Sequence, residues 1–248
     1  MMLYLGVLDR SPRGTNKEIT MKKISLKSDA RKVLKAYDMM SSYRIQEEIL
    51  QYLVEKYPDH KNEAAVESKA KLLNLFYSTG IQATNLMTQN ILSIANIDAR
   101  LKKGDLSLVP EIATLRLSNG DVRFNYSFAT KYCALHRPEK FPIYDSIVAD
   151  TFASLFEKGL LPKYRYQRGK SSLSNTFTKG EFATKLKEYQ FFVEFYDYFM
   201  ELFDLKGLTY REVDSYIWGA FKVAGEEFEI EKMAQLNKSK ITEVKINW

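Results

Sequence analysis

Apolar side chains recur along this chain at mostly helical intervals. Leu34, Tyr37, Ile45, Ile49 and Leu53 fit one or two amphipathic helices between Ala30 and Tyr57, ended by Pro58. A further helix is predicted from about Glu63 to Tyr77, stopping at Ser78-Thr79-Gly80. The next starts near Gln82 and carries Met87, Ile91, Ile94, Ile97 and Leu101 before Gly104. Pro110 suits the first turn of a short helix through Leu117, and Asn119-Gly120-Asp121 is a turn signal. Ser127 reads as the N-cap of a helix with Ala129, Tyr132, Cys133 and Leu135 that Pro138 closes. Asp145 reads as the N-cap of a helix through about Lys158. Residues 159–180 read as irregular. Gly180 to Leu205 then reads as one long aromatic helix, and Thr209 to Val223 as another, opened by the capping-box pattern Thr209-Tyr210-Arg211-Glu212. With no internal repeat and no alternating strand pattern, the predicted fold class is all-α.

A length of 248 residues allows one sizeable core, or two small lobes that share one. The 45% hydrophobic and 27% charged content excludes disorder over the whole chain. The single cysteine, Cys133, excludes an intramolecular disulfide and an iron–sulfur cluster held by four thiolates. With only His60 and His136 beside it, no zinc quartet can be assembled. No metal and no cofactor are therefore expected. Lys plus Arg exceeds Asp plus Glu by 37 to 31, a formal charge of +6, which admits an anionic partner without requiring one. The apolar stretch Met1 to Val7 is shorter than a signal-peptide core, and no run approaches a membrane span. The expectation is a cytoplasmic monomer without a membrane partner. Residues 1–21 read as a flexible leader that ends at Met21, and residues 22–248 as one unit.

The segment from Ser127 to Val148 carries the most chemistry. Lys131 falls in the first turns of one helix and Asp145 at the start of the next, and the loop between them reverses the chain toward one cleft. A lysine that loses water has a lowered pKa and becomes an amine nucleophile able to form a Schiff base with a sugar carbon. A neighbouring carboxylate can stabilise an oxocarbenium ion or activate a water. The plain alternatives are a solvated helical lysine and an aspartate that only caps.

Phe141-Pro142-Ile143-Tyr144-Asp145-Ser146-Ile147-Val148 resembles the segment around the catalytic aspartate of the helix-hairpin-helix superfamily of DNA glycosylases. Phe128-Ala129-Thr130-Lys131-Tyr132 is similar to the lysine helix of the archaeal 8-oxoguanine glycosylase branch. Tyr210 to Trp218, and Leu75-Phe76-Tyr77-Ser78-Thr79-Gly80-Ile81, are similar to segments of uncharacterised prokaryotic relatives of those enzymes. The resemblance implies two helical lobes around a cleft, one formed by about residues 76–144 and the other by 22–75 plus 145–248. It also implies a DNA partner and excision of a damaged or modified base, with Asp145 stabilising the deoxyribose cation. Lys131 would supply Schiff-base strand cleavage. Two departures stand out. The superfamily's glycine-rich hairpin is replaced by Asp121-Val122-Arg123-Phe124-Asn125-Tyr126, and Lys131 precedes Asp145 by only 14 residues. The departed hairpin motivates the alternative, a non-catalytic DNA-binding module that keeps the same architecture.

Between Lys158 and Lys179 stand six basic residues and no acidic one, interleaved with tyrosine, serine and asparagine, as phosphate contact favours. Lys163, Arg165, Arg168 and Lys170 there, with Arg123 and Ser127, are the candidate DNA-binding residues. A solvated loop is the competing reading. Tyr77, Gln82, Phe124 and Trp218 are candidates for a base pocket, with core or turn roles as alternatives. Phe192, Phe195, Tyr196, Phe199 and Phe203 lie at helical spacing and read as core.

Overall fold

A computed structural model of the chain describes residues 19–38, 41–166, 176–224 and 241–246. Most of these residues are helical. The N-terminal part holds α1 (Lys27–Asp38), α2 (Ser41–Lys56) and α3 (Glu63–Phe76), the last capped by Asn62, whose side chain accepts from the Ala65 amide. There follow α4 (Thr84–Ser93), α5 (Ile97–Lys103), α6 (Leu108–Ala113) and α7 (Tyr126–His136). The C-terminal part holds α8 (Ser146–Glu157), α9 (Lys179–Lys185), α10 (Tyr189–Leu202) and α11 (Tyr210–Ala224).

Three small ladders join these helices, a departure from the purely helical expectation. Strand β1 (Ile19–Ile24) pairs antiparallel with β6 (Ile241–Ile246), from Ile19 opposite Ile246 to Ile24 opposite Ile241. Residues 19–21 of the expected leader thus belong to a strand, and residues 1–18 lie outside the described residues. β2 (Thr114–Arg116) and β3 (Val122–Phe124) form an antiparallel hairpin around the Asn119-Gly120 turn, where Gly120 takes φ +88, open to glycine at little cost. β4 (Arg165–Tyr166) and β5 (Thr176–Phe177) pair in parallel.

Four helix boundaries also differ from the sequence reading. The helix expected from Gln82 to Gly104 is two helices, because Asn96 adopts φ +54 and a left-handed residue cannot continue a right-handed helix. α6 stops at Ala113, not Leu117. Residues 114–116 pair with β3 instead, and the Ala113 carbonyl accepts from the Asn125 amide at 2.7 Å. Asn125, not Ser127, occupies the N-cap position of α7, so Ser127 sits inside its first turn. The long aromatic helix is broken at Leu186-Lys187-Glu188. A capping box between Thr178 and Glu181 starts α9, and α10 begins afresh at Tyr189. The break lets two apolar faces turn to different partners: Phe182 of α9 stacks on Phe156 at 4.2 Å, while α10 faces Phe152.

The core that matters for the site is aromatic. Phe152 of α8 lies among Phe192, Phe195, Tyr196 and Phe199 of α10, with ring centroids 4.8–6.2 Å apart. Each such buried ring stabilises the fold by roughly 1.5–3 kcal/mol, and together they fix the axis of α8 and so the position of its cap, Asp145. α11 is held against α1, with the Tyr216 hydroxyl donating to Asp29 at 3.0 Å. Behind α7 lies a second buried polar group. His60 Nδ1 is 2.6 Å from Asp98, its Nε2 is 2.9 Å from the Tyr132 hydroxyl, and its ring stacks on His136 at 4.9 Å. Fully buried Lys69 donates to the Tyr57 carbonyl at 2.8 Å nearby. Among the described residues no helix is long and apolar enough to cross a membrane, and no group of three or more His, Cys, Asp or Glu side chains is placed to hold a metal ion.

Candidate active site

A cavity of about 490 Å³ opens where α2, the end of α3, α7, the start of α8 and α11 meet. That volume falls within the usual range of small-molecule sites. α7 supplies Ser127 and Lys131, one turn apart on the same face. The α7–α8 loop supplies Asp145, and α11 supplies Arg211, Asp214, Ser215 and Trp218 at helical spacing on one face. The loop that delivers Asp145 is pinned at two points. The Tyr189 hydroxyl donates to the Pro142 carbonyl at 2.9 Å, and the Tyr144 amide donates to Thr130 Oγ1 of α7 at 3.1 Å. Asp145 itself caps α8, Oδ1 accepting from the Val148 amide at 2.9 Å, which leaves Oδ2 toward Lys131.

Lys131 is only 4% exposed. Its Nζ donates to Ser127 Oγ at 2.8 Å and to the Tyr144 carbonyl at 3.5 Å, lies 3.7 Å from Asp145 Oδ2, and stands over the Tyr77 ring at 5.7 Å. Burial lowers its pKa from the ordinary lysine value, and the charge of Asp145 offsets part of that fall. The result is an amine that gives up its proton more readily than a surface lysine while still lining an open space.

Asp214 is buried deeper than Asp145. Its Oδ2 accepts from Arg211 at 3.1 Å, and Oδ1 is buried with no hydrogen-bond partner among the described residues. Burial pushes its carboxyl up to about 7; Arg211 pulls the other way, and the charge of Asp145 adds to the push. The same Arg211 pairs with Glu47 of α2 and donates to the Tyr77 hydroxyl at 2.9 Å, tying α2, α3 and α11 together at the cavity wall. A second cavity of about 480 Å³ shares Glu47, Tyr77, Lys131 and Arg211 with the first, so these four side chains form part of both linings.

The structure thus brings Lys131, Asp145, Ser127, Tyr77 and Trp218 to one cavity. Ser127 lies there as the hydrogen-bond partner of Lys131. Gln82 and Phe124 do not line it: Gln82 is exposed beyond the turn that Asn74 locks, and Phe124 is 53% exposed on β3. Arg123 is exposed on the same strand, and Lys163 is exposed over the Tyr164 and Tyr198 rings. Arg165 belongs to β4, while Arg168 and Lys170 lie outside the described residues. Phe192, Phe195, Tyr196, Phe199 and Phe203 are all buried core.

Glu47, Arg211 and Asp214 were not among the sequence candidates. A signal for two of them existed: Arg211 and Asp214 share a helix face with Ser215 and Trp218, apart from Val213, Tyr216 and Ile217, which are core. Nothing local marks Glu47, which reaches the site only because α2 packs against α3 and α7 and so brings it to Arg211.

Residues 29–140 match the HI_0787_N family, described as an N-terminal domain. An uncharacterized protein of Haemophilus influenzae is 35% identical over 145 residues, which is 58% of this chain and 60% of that protein. The shared stretch is therefore less than two thirds of that relative's length. No solved structure matches the chain. The family match includes Glu47, Tyr77, Ser127 and Lys131 and ends before Asp145, Arg211 and Asp214.

Proposed function

We propose that this protein is a DNA base-excision glycosylase with Schiff-base lyase activity, built on the helix-hairpin-helix glycosylase architecture. The observation that carries the reading is the buried Lys131 amine beside Asp145 in a cavity of nucleobase-compatible size. The two-lobe division is supported by the cavity's lining. Tyr77, Ser127 and Lys131 come from one expected lobe, and Glu47, Asp145, Arg211, Asp214 and Trp218 from the other. A damaged or modified nucleotide, flipped from the duplex, would place its base in this space; flipping costs a few kcal/mol, which damage or mispairing reduces.

In this reading Asp145 stabilises positive charge on the deoxyribose as the C1′–N bond breaks and its electron pair leaves with the base. The neutral Lys131 amine bonds to C1′, and the sugar ring opens to a Schiff base. The departed base, left as an anion by the bond cleavage, takes a proton from C2′, and the electrons of that C–H bond expel the 3′ phosphate and cleave the strand. Ser127 and the Tyr144 carbonyl hold Nζ in place. The proton that Lys131 must release has an acceptor close by in Asp214, whose raised pKa lets it hold a proton near neutrality.

The test is incubation with duplex oligonucleotides that each carry one altered base, followed by alkali and by borohydride trapping. The parent protein should release one class of base and form a trapped covalent complex. Asp145→Asn should keep fold and DNA binding while excision falls by about 10²–10⁴-fold, and Lys131→Gln should abolish trapping. Excision by Asp145→Asn at the parent rate would sink the assignment. DNA binding without base release from any duplex would leave the non-catalytic module.

A further inference from the structure

Two cations stand over one aromatic ring at the cavity wall. The Lys131 amine lies 5.7 Å from the centre of the Tyr77 ring, and the Arg211 guanidinium lies 5.9 Å from the same centre. The two charges are therefore no more than about 12 Å apart. Like charges this close in a partly desolvated space repel, and the repulsion is relieved by whichever group can give up its proton. Arginine stays charged, whereas a buried lysine can release its proton. The consequence falls on Lys131.

Arg211 is seated by three partners. It pairs with Glu47 of α2 and with Asp214 one turn along α11, and it donates to the Tyr77 hydroxyl at 2.9 Å. Its side chain is only 25% exposed, so water screens its charge only in part. The groups facing Lys131 come from each element around it: Asp145 and Tyr144 from the α7–α8 loop, Tyr77 from the end of α3, Glu47 from α2, and Asp214 and Arg211 from α11. The second cavity adds Arg44, Glu48 and Glu55, of which Arg44 pairs with Glu48 and Glu55 accepts from Gln51. Asp145 and Asp214 favour the charged amine, and Arg211 opposes it. Asp145 lies 3.7 Å away with one oxygen committed to the α8 cap, and the carboxyl of Asp214 is pushed up to about 7, which weakens both counter-charges.

We propose that Arg211 is a positioning residue for this chemistry: seated by Glu47 and Tyr77, it holds a fixed positive charge beside Lys131 and favours the free, nucleophilic amine. The use made of that amine rests on the glycosylase reading above, whereas the effect of one charge on the other does not. Arg211 and α11 lie beyond residues 29–140 of the family match. A helix outside the matched domain thus sets the reactivity of a lysine inside it.

The test labels the full chain with trace acetic anhydride across neutral and alkaline pH and reads acetylation of Lys131 by peptide mass, which gives the pH at which half of the amine is free. In the parent that half-point should lie below the ordinary lysine value of 10.5. In Arg211→Met it should rise by about one pH unit, the size of a unit-charge repulsion over about 12 Å at an effective dielectric constant of about 20. Arg211→Lys keeps a cation beside Glu47 and should restore the parent half-point. Because Arg211 also touches Asp214, the comparison is repeated in Asp214→Asn, where the rise should persist. Tyr77→Phe unseats the guanidinium but keeps the ring, and should raise the half-point by less; it serves if Arg211→Met fails to fold. An unmoved half-point in the folded variants, an equal rise in Arg211→Lys, a rise that vanishes in Asp214→Asn, or a Lys131 unlabelled at every pH overturns the proposal. Borohydride trapping on an abasic-site duplex, run in parallel, tests the reading beneath it. Shifted labelling without trapping by the parent keeps the Arg211 effect and sinks the lyase. Trapping with an unmoved labelling half-point does the reverse.

Discussion

Among the described residues two lysines are buried, and their surroundings differ. Lys69 is fully enclosed, donates to the Tyr57 carbonyl at 2.8 Å, and has its pKa lowered to about 8, chiefly by burial. Lys131 is almost as buried, and its pKa is lowered for the same reason. The difference lies in what surrounds each ammonium. Lys69 answers a backbone carbonyl at the end of α2 and lines none of the cavities described above, so its role is to satisfy a buried acceptor. Lys131 lines two cavities, beside a carboxylate and a hydroxyl. A depressed lysine pKa therefore does not mark a reactive amine by itself; what separates Lys131 from Lys69 is its place on a ligand-sized space.

Methionine substitutions sharpen this contrast most strongly. Lys69→Met strands the Tyr57 carbonyl and should destabilise by about 1–3 kcal/mol, which lowers Tm by roughly 2–4 °C per kcal/mol in a chain of this size. Lys131→Met removes a costly buried charge whose partner Asp145 keeps its cap bond to Val148. Its Tm should stay within about 3 °C of the parent, because the Asp145 side chain is 20% exposed and stays solvated without its partner, and any borohydride trapping should be lost. Calorimetry on the two variants side by side checks both signs. Equal losses of stability would erase the distinction.

The two sides of α7 should also respond differently to pH. Burial keeps His60 and His136 below the ordinary histidine value of 6.5, so the folded protein holds them neutral while the unfolded chain binds their protons. Their contribution to stability is present above pH 6.5 and is lost as pH falls below it. Melts between pH 7.5 and 5 should show a declining Tm, and His136→Phe should make that decline shallower.

Asp214 carries the opposite sign. Its carboxyl is raised from 3.8 to about 7, so its stabilising, protonated form prevails at low pH and is lost as pH rises through 7. Asp214→Asn should accordingly gain stability relative to the parent between pH 5 and pH 8, by about 1 kcal/mol or more given the size of the shift. A constant offset across that range would show that Asp214 does not titrate there.

Several local features could be read directly from the sequence because they depend on residues a few positions apart. The caps at Asp145 and Thr209, the stop after Phe76, the Asn119-Gly120 turn and the aromatic stripe of α10 all follow from spacing and backbone preference. The Lys131–Asp145 pair was legible for the same reason, since a short loop joins two adjacent helices. Gln82 and Phe124 were drawn toward the site by nearness in sequence, but the turn after Asn74 and the hairpin register put both at the surface.

What the sequence determined alone was therefore helix-dominated architecture and one lysine–carboxylate couple, because 3.6-residue periodicity and capping act over a few residues. Tertiary structure alone decided three things. It set the pairing of residues 19–24 with 241–246, whose partners are far apart in the chain. It brought Glu47, Tyr77 and Arg211 into one linked set from three helices. It also buried Asp214 deeply enough to push its proton affinity toward neutrality. Each depends on desolvation or contact between distant segments, and none of the three is written in any local stretch of residues.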